Sequence, residues 1–360
     1  MKKLICIFNT SHDSHCRHRV KDLREAGFSV EVYCHPRNGA TGEKDADYPL
    51  VFLSDLASER YTGRLMSYAR EIRAIVRAHR GEDCLYYLYG LDIAMVFRCV
   101  APRQSYLYEE ADMMHLEAGT EQHPWLSAVL ERIDRRVIRH AALAILTSEG
   151  FLQYHFGDVC PQNCVVVHNK ADKRLLETEV ADKQSDEKHL HFAFIGMLRY
   201  DSLYRFAKVV GERFRQHTFH FYGPETPRFE ALKTYDNVLF HGPYKNPDDL
   251  PALYEATDIV VATYDSTHTN VRYLEPNKLF EAVCMRTPIV VSEHTYVAQQ
   301  VAAWGSGWPI DATHEEHIAQ FISSLTAERI ASCRKHIASI PREQMIADNS
   351  ELIKRLQALC

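Results

Sequence analysis

Between Asp258 and Ser292 the chain passes from one short apolar run (Asp258 to Thr263, DIVVAT) through a polar loop and a proline-started helical segment into another (Ile289 to Ser292). Two buried strands joined by a helix are a unit of a parallel sheet, so this stretch commits its half of the chain to an α/β architecture. Proline suits the first turn of a helix because its missing N–H would be unbonded there anyway. The helix is therefore expected to begin near Pro276, with the amides of Asn277, Lys278 and Leu279 facing the preceding loop. Such amides and the positive end of the helix dipole make a seat for phosphate. Lys278 adds a full charge there, and Glu281, one turn further in, suits the paired hydroxyls of a ribose, which a carboxylate accepts together. Phosphate seat plus ribose acceptor predicts a nucleotide site. The ordinary alternative is a buried strand–helix–strand unit with no ligand.

The rest of the chain has the same rhythm. In the N-terminal half, apolar runs at Leu4–Phe8, Ser29–Cys34, Leu50–Leu53, Leu85–Tyr89, Tyr106–Glu109, Leu143–Thr147 and Val165–Val167 read as strands. Helical patterns near His18–Ala26, Arg64–Arg80, Pro124–Arg139 and Glu149–Phe156 lie between them. After a charged stretch over 177–188 the alternation resumes with strands at His191–Ile195, Thr218–Tyr222, Val238–Phe240, Ile259–Ala262 and Ile289–Val291. The expected organisation is a first lobe over 1–176, a linker over 177–188, a second lobe over 189–340 and a closing helical segment over 341–360. A length of 360 residues suits two domains. A net charge of -6 argues against general nucleic-acid binding. Scattered, unpaired cysteines read as reduced thiols of a cytoplasmic protein, and Cys160, Cys164 and His168 lack a fourth zinc ligand. The run Leu4–Phe8 is too short for the core of a secretion signal, and no apolar run approaches the ~18 residues needed to span a bilayer.

Asn270, the run Pro276 to Glu281 (PNKLFE) and the run Thr287 to Ser292 (TPIVVS) together resemble the donor-site motif of family 4 glycosyltransferases, retaining enzymes of the GT-B class. The resemblance implies an α/β GT-B fold of two doubly wound Rossmann-like lobes facing an interdomain cleft, with the closing segment packed back across the junction. It implies a nucleotide-sugar donor in the second lobe and a carbohydrate or lipid-linked oligosaccharide acceptor in the first, as in surface or capsular polysaccharide synthesis. Glu281 would hold the ribose. UDP is the expected nucleotide. No cofactor or metal is expected, since the nucleotide sugar is itself a substrate and helix-end amides with Arg199 and Lys278 can stabilise the leaving diphosphate. The only Asp-x-Asp that a metal-dependent transferase would want, Asp45 and Asp47, precedes a strand instead of following one. One departure stands out: many members carry a Glu-x7-Glu pair, whose first position is Tyr273 here, with Glu275 out of register. A sugar-nucleotide epimerase of the same architecture and a non-catalytic partner subunit remain as alternatives.

Other strand-end loops supply further candidates. Gly196 permits close backbone approach and Arg199 can pair with a diphosphate, or is simply a surface arginine. Gly223 and the loop from Phe240 to Tyr244 also end strands; the resemblance implies that these loops wrap the base, with Tyr244 stacking on it or serving as an ordinary loop tyrosine. His294 and Thr295 also follow a strand. In the first lobe, the loop from Asn9 to Asp13 is polar, and Asp13 with Arg19 resembles a family pattern of an acid followed by Arg-Val. Glu109, Glu110, Asp112 and His115 crowd the end of an apolar strand. Glu110, Asp112 and His115 are expected to bind sugar hydroxyls or take the acceptor's proton, unless they form an exposed acidic loop. Thr147 to Gly150 is a further strand-end loop, or a helix cap. The helix at 64–80 carries five arginines around an apolar stripe, which suits either a sheet-covering helix or peripheral contact with the inner face of the plasma membrane.

Overall fold

The computed structural model describes residues 3–9, 14–36, 48–56, 60–117, 120, 122–157 and 159–359. The readings placed on Thr10 to Asp13 and on Asp45 and Asp47 lie outside these residues. Two compact units form, one from Met1–His168 with Asp348–Cys360 and one from Asn169–Ala347. Residues 177–188 thus belong to the second unit, and the chain divides some eight residues before the charged stretch.

The first unit holds a seven-stranded parallel sheet of β1 (Lys3–Phe8), β2 (Val30–Cys34), β3 (Leu50–Phe52), β4 (Cys84–Tyr89), β5 (Tyr106–Glu110), β6 (Leu143–Leu146) and β7 (Cys164–Val166). Their order is β3-β2-β1-β4-β5-β6-β7. The second holds six parallel strands, β8 (His191–Ile195), β9 (Thr218–Tyr222), β10 (Val238–Phe240), β11 (Ile259–Ala262), β12 (Ile289–Ser292) and β13 (Gly307–Ile310), in the order β10-β9-β8-β11-β12-β13. Both orders run outward from the first strand in one direction and then resume on its other side, the doubly wound pattern. Helices on the first unit are α1 (Ser14–Glu25), α2 (Tyr61–Ala78), α3 (Leu91–Val100), α4 (Pro124–His140) and α5 (Glu149–Phe156). On the second they are α6 (Asp201–Arg213), α7 (Leu250–Glu255), α8 (Thr269–Tyr273), α9 (Asn277–Cys284), α10 (Tyr296–Trp304), α11 (Glu315–Ser323) and α12 (Ala327–Ala338). The last helix, α13 (Ser350–Leu359), returns to the first unit, where Leu352 and Leu356 join one of the sheet's two apolar faces.

Among the elements that the sequence pattern misses, two have clear physical reasons. Helix α3 (LDIAMVFRCV) is nearly all apolar and buries Leu91, Ile93, Ala94, Val96 and Phe97, so no polar stripe marks its period. Strand β13 (GWPI) contains Gly307 and Pro309, which read as a turn; at the edge of the sheet a proline is tolerated. The expected helix over 341–359 is broken. Ala171 pairs with Ile346, and Asp348 then accepts from the Ser350 amide at 2.8 Å to start α13. Each described cysteine is a free thiol. Among the described residues no helix is long and apolar enough to cross a membrane. Helix α2 turns Tyr68, Ile72 and Ile75 into the core and leaves Met66 exposed.

Asp258, buried just before β11, ties the 183–185 segment to the second sheet. Its carboxylate accepts from the His191 amide (2.9 Å) and the Ser185 hydroxyl (2.7 Å), with Lys183 at 3.1 Å and Arg334 at 3.4 Å. Burial alone would raise its pKa, but the His191 amide, Ser185 and Lys183 outweigh it and hold the group below the usual range. A depressed carboxyl pKa contributes stability above its unfolded value, and that contribution fades as pH falls through the folded value. Asp258→Asn is therefore expected to cost about 2 kcal/mol in urea unfolding at pH 7, with the gap to wild type closing below roughly pH 4. A gap that stays constant down to pH 3 would contradict this.

Candidate active site

In the second sheet the strand order reverses between β8 and β11, and the loops leaving these two strands flank the crevice where doubly wound sheets place ligands. Helix α6 begins beyond the β8 loop, but its positive end is already occupied. The Asp265 carboxylate accepts from the amides of Asp201 (2.9 Å) and Ser202 (2.7 Å) and from the Ser202 hydroxyl (2.8 Å). A second anion there would meet a carboxylate. The start of α9 carries Lys278 instead.

Helix α9 opens at Asn277 with Pro276 as its N-cap. Leu279, expected to offer its amide, instead donates to the Pro276 carbonyl at 3.0 Å, and its side chain is fully buried. The first turn has already tightened around that bond, so the Leu279 amide drops out of the expected seat. The Lys278 ammonium folds back over the Phe194 ring, 5.2 Å from its centroid, and lies against Gly196. A Cβ at Gly196 would stand 2.7 Å from Lys278 Nζ and 2.9 Å from Cε. Gly196, at φ +148°, therefore leaves the space that the lysine fills. Gly223, at φ +151°, is tighter: a Cβ there would fall 2.0 Å from the Gly196 carbonyl oxygen. Backbone bonds from Gly196 to Tyr222 (2.7 Å) and from Gly223 to Gly242 (2.8 Å) lock the three strand-end loops side by side.

Glu281 is 5 % exposed and accepts from the Tyr254 hydroxyl at 3.0 Å. Burial raises its pKa, against the opposing pull of Lys278, Tyr254 and Asn246. The half-buried Tyr244 packs on the second unit's core. Burial raises its phenol, while Lys278 lowers it and Glu281 raises it, which places all three in one electrostatic neighbourhood. Arg199 is exposed, 5.1 Å from the Tyr200 ring centroid, and Tyr200 stacks on Tyr264 at 4.4 Å. Tyr264 senses both Arg199 and Glu281, so the β8 loop and α9 share this neighbourhood too. Asn270 is buried in α8, and Glu275 is buried and bonded by Gln300. His294 is exposed beyond β12, whereas Thr295 caps α10 by accepting from the Ala298 amide at 3.1 Å.

The first unit corrects one expectation. Of the four ionisable groups at the end of β5, only Asp112 is exposed. Glu109 is buried against Arg19 (2.6 Å) and also accepts from Tyr87. Glu110 and His115 are fully buried, so neither touches solvent or a sugar hydroxyl. β5 is a central strand covered on both faces, and the chain beyond it turns inward as a short 3-10 turn at Met114–Leu116. Ser148 caps α5 by accepting from the Gly150 amide at 2.9 Å, as its position before a helix suggests.

Tyr254, Asn246 and Asp265 were not singled out from sequence. Asp265 lies three residues beyond an apolar strand, a placement that could have found it; Tyr254 has no such signal, being one aromatic among many.

Residues 189–328 match the family model described as Glycosyl transferases group 1, a span that contains Gly196, Arg199, Lys278 and Glu281. A search of curated protein sequences found no match. Similar solved structures include sucrose-phosphate synthase from Thermosynechococcus elongatus, with a TM-score of 0.74, 12% identity and coverage of 99% of this chain and 98% of that one. Anabaena HepE in complex with UDP-glucose gives 0.70 at 15% identity, covering 99% and 100%. S. aureus MnaA with UDP gives 0.62 at 12%, covering 93% and 91%. The chain has the two-lobe α/β fold of GT-B glycosyltransferase structures.

Proposed function

We propose that this chain transfers a sugar from a UDP-sugar to a hydroxyl of a carbohydrate or lipid-linked oligosaccharide, with retention at the anomeric carbon and without a metal in the reaction. The observation that carries the reading is the Lys278 ammonium held against Gly196 at the switch point, with the carboxylate of Glu281 one turn behind it on α9. Positive charge at that end meets the diphosphate as the bond to the anomeric carbon breaks, where negative charge accumulates. Arg199, on the facing loop, supplies the second cation. Tyr254 fixes the Glu281 carboxylate, and ribose hydroxyls replace the exposed Asn246 as its other donors. Tyr244 borders the base, and Asp112 is the first-unit group that reaches an acceptor. Retention and the polysaccharide role rest on the motif's resemblance. The arginine-rich α2, with exposed Tyr61 and Met66, is the proposed contact with the inner face of the plasma membrane.

Glu281→Ala tests the donor site. Loss of two hydrogen bonds to a carboxylate weakens UDP binding by roughly 100-fold in titration calorimetry. Unchanged affinity would remove the ribose assignment. Mass spectrometry of products separates the enzyme classes: elongated acceptor supports transfer, whereas epimerised sugar released without acceptor supports the epimerase. Absence of any nucleotide binding would favour a non-catalytic subunit.

A further inference from the structure

Inside the first unit, four side chains from four different elements converge with no exposure to solvent: Glu110 at the end of β5, His115 in the turn after it, Asp134 on α4 and His155 on α5. His155 Nε2 lies 2.9 and 3.1 Å from the two Glu110 oxygens and 4.0 Å from Asp134 Oδ2. His115 Nδ1 lies 3.4 Å from the same Asp134 oxygen. The Tyr108 hydroxyl occupies Asp134 Oδ1 at 2.9 Å, but Oδ2 has only the 3.4 Å contact from His115 Nδ1, and neither ring nitrogen of His115 makes a well-aligned hydrogen bond among the described residues. Two carboxyl groups and two imidazoles are thus buried together with an acceptor left open in their midst. Burying carboxylates without a cation is costly, and an unmade bond at a buried oxygen adds to that cost.

We propose that this cluster binds a divalent transition-metal ion, zinc fitting best, through Glu110, Asp134, His155 and His115. Two carboxylates balance the ion's two charges, so the site is neutral and suits full burial. Bonds of about 2.0–2.2 Å in a tetrahedron place ligand atoms roughly 3.3–3.6 Å apart. Ligand atoms of Glu110, Asp134 and His155 all lie within 4.8 Å of one another, and His115, with Nδ1 3.4 Å from Asp134, turns in as the fourth ligand. A closed set of four protein ligands is the pattern of a structural site, here pinning β5, its following turn, α4 and α5 together. The site lies in the unit that does not carry Lys278 and Glu281, and it plays no part in the proposed transfer.

The test uses the full-length protein, free of any affinity tag, carrying His314→Ala and His317→Ala. These remove the Asp311, His314 and His317 cluster in the second unit, the other described grouping with ligand-like spacing. Metal-stripped protein is titrated with Zn²⁺ alone and metal content is read by plasma mass spectrometry. The expected result is about one equivalent bound, and a melting temperature that falls by about 5 °C on stripping and returns with zinc. Glu110→Gln and His155→Gln should each lower the bound zinc at least tenfold. Zinc-edge anomalous scattering from the parent protein, which needs no ligand variant to fold, should place the ion between His155 and Asp134. Failure to take up zinc, zinc content unchanged in both variants, or an anomalous peak elsewhere would each overturn the proposal.

Discussion

Lys278→Ala is expected to lower kcat for sugar transfer by about 10² to 10³, equivalent to about 2.7–4 kcal/mol, while leaving the fold intact. Its ammonium is the full charge at the start of α9 and is held in place over the Phe194 ring and the Gly196 backbone. The helix amides contribute partial charges, but those are fixed whether or not the diphosphate is leaving. On the proposed reading the lysine's full charge does more than those partial charges to stabilise the charge that develops on bond cleavage, so its removal is expected to act on kcat more than on donor KM. Lys278→Arg is expected to restore little, because the space over Gly196 is already filled by a slim ammonium and a planar guanidinium is wider. Steady-state kinetics at saturating donor, paired with urea unfolding, reads both effects. A Lys278→Ala enzyme within threefold of the wild-type kcat would show that the leaving group is stabilised elsewhere.

How much of this was legible in the sequence depended on whether a residue's role is local. That a helix would open at Pro276 and carry Lys278 and Glu281 one turn apart was readable, because helix geometry fixes their relation. Five of the six strands of the second sheet were readable too, being short apolar runs bounded by turn residues. Position along the chain could not show that Asp265 reaches across the switch point to cap α6, or that Tyr254 bonds Glu281. Nor did it show that Glu110 and His115 point inward. An acid after a strand looks like a solvated loop until its partners are known, and those partners, Asp134 and His155, lie on distant helices. Asp134 did leave a trace. It shares the buried helical face of Leu130, Val137 and Ile138, where an acid is out of place unless something satisfies it.

Gly223→Ala should destabilise the second unit by about 3 kcal/mol or more, a lesion of folding. Its added Cβ would lie 2.0 Å from the Gly196 carbonyl oxygen, which is backbone held by its neighbours, and an alanine at φ +151° is strained in any case. Gly196→Ala forms the contrast. It carries similar backbone strain at φ +148°, but its nearest obstruction is the flexible end of Lys278, which can swing aside. Gly196→Ala should therefore be the milder in stability and the more selective in activity, since the lysine loses its position. Trp304 and Trp308, both in the second unit, report its unfolding by fluorescence in urea. Equal midpoints for wild type and Gly223→Ala would mean that the two loops are not locked together as described.

The most direct measurement is a crystal structure of the protein soaked with UDP. The diphosphate should lie over the amides of Asn277 and Lys278 with the Lys278 ammonium upon it, and the ribose hydroxyls should meet the Glu281 carboxylate. Density for the nucleotide away from α9, or α9 left bare at saturating UDP, would contradict the account.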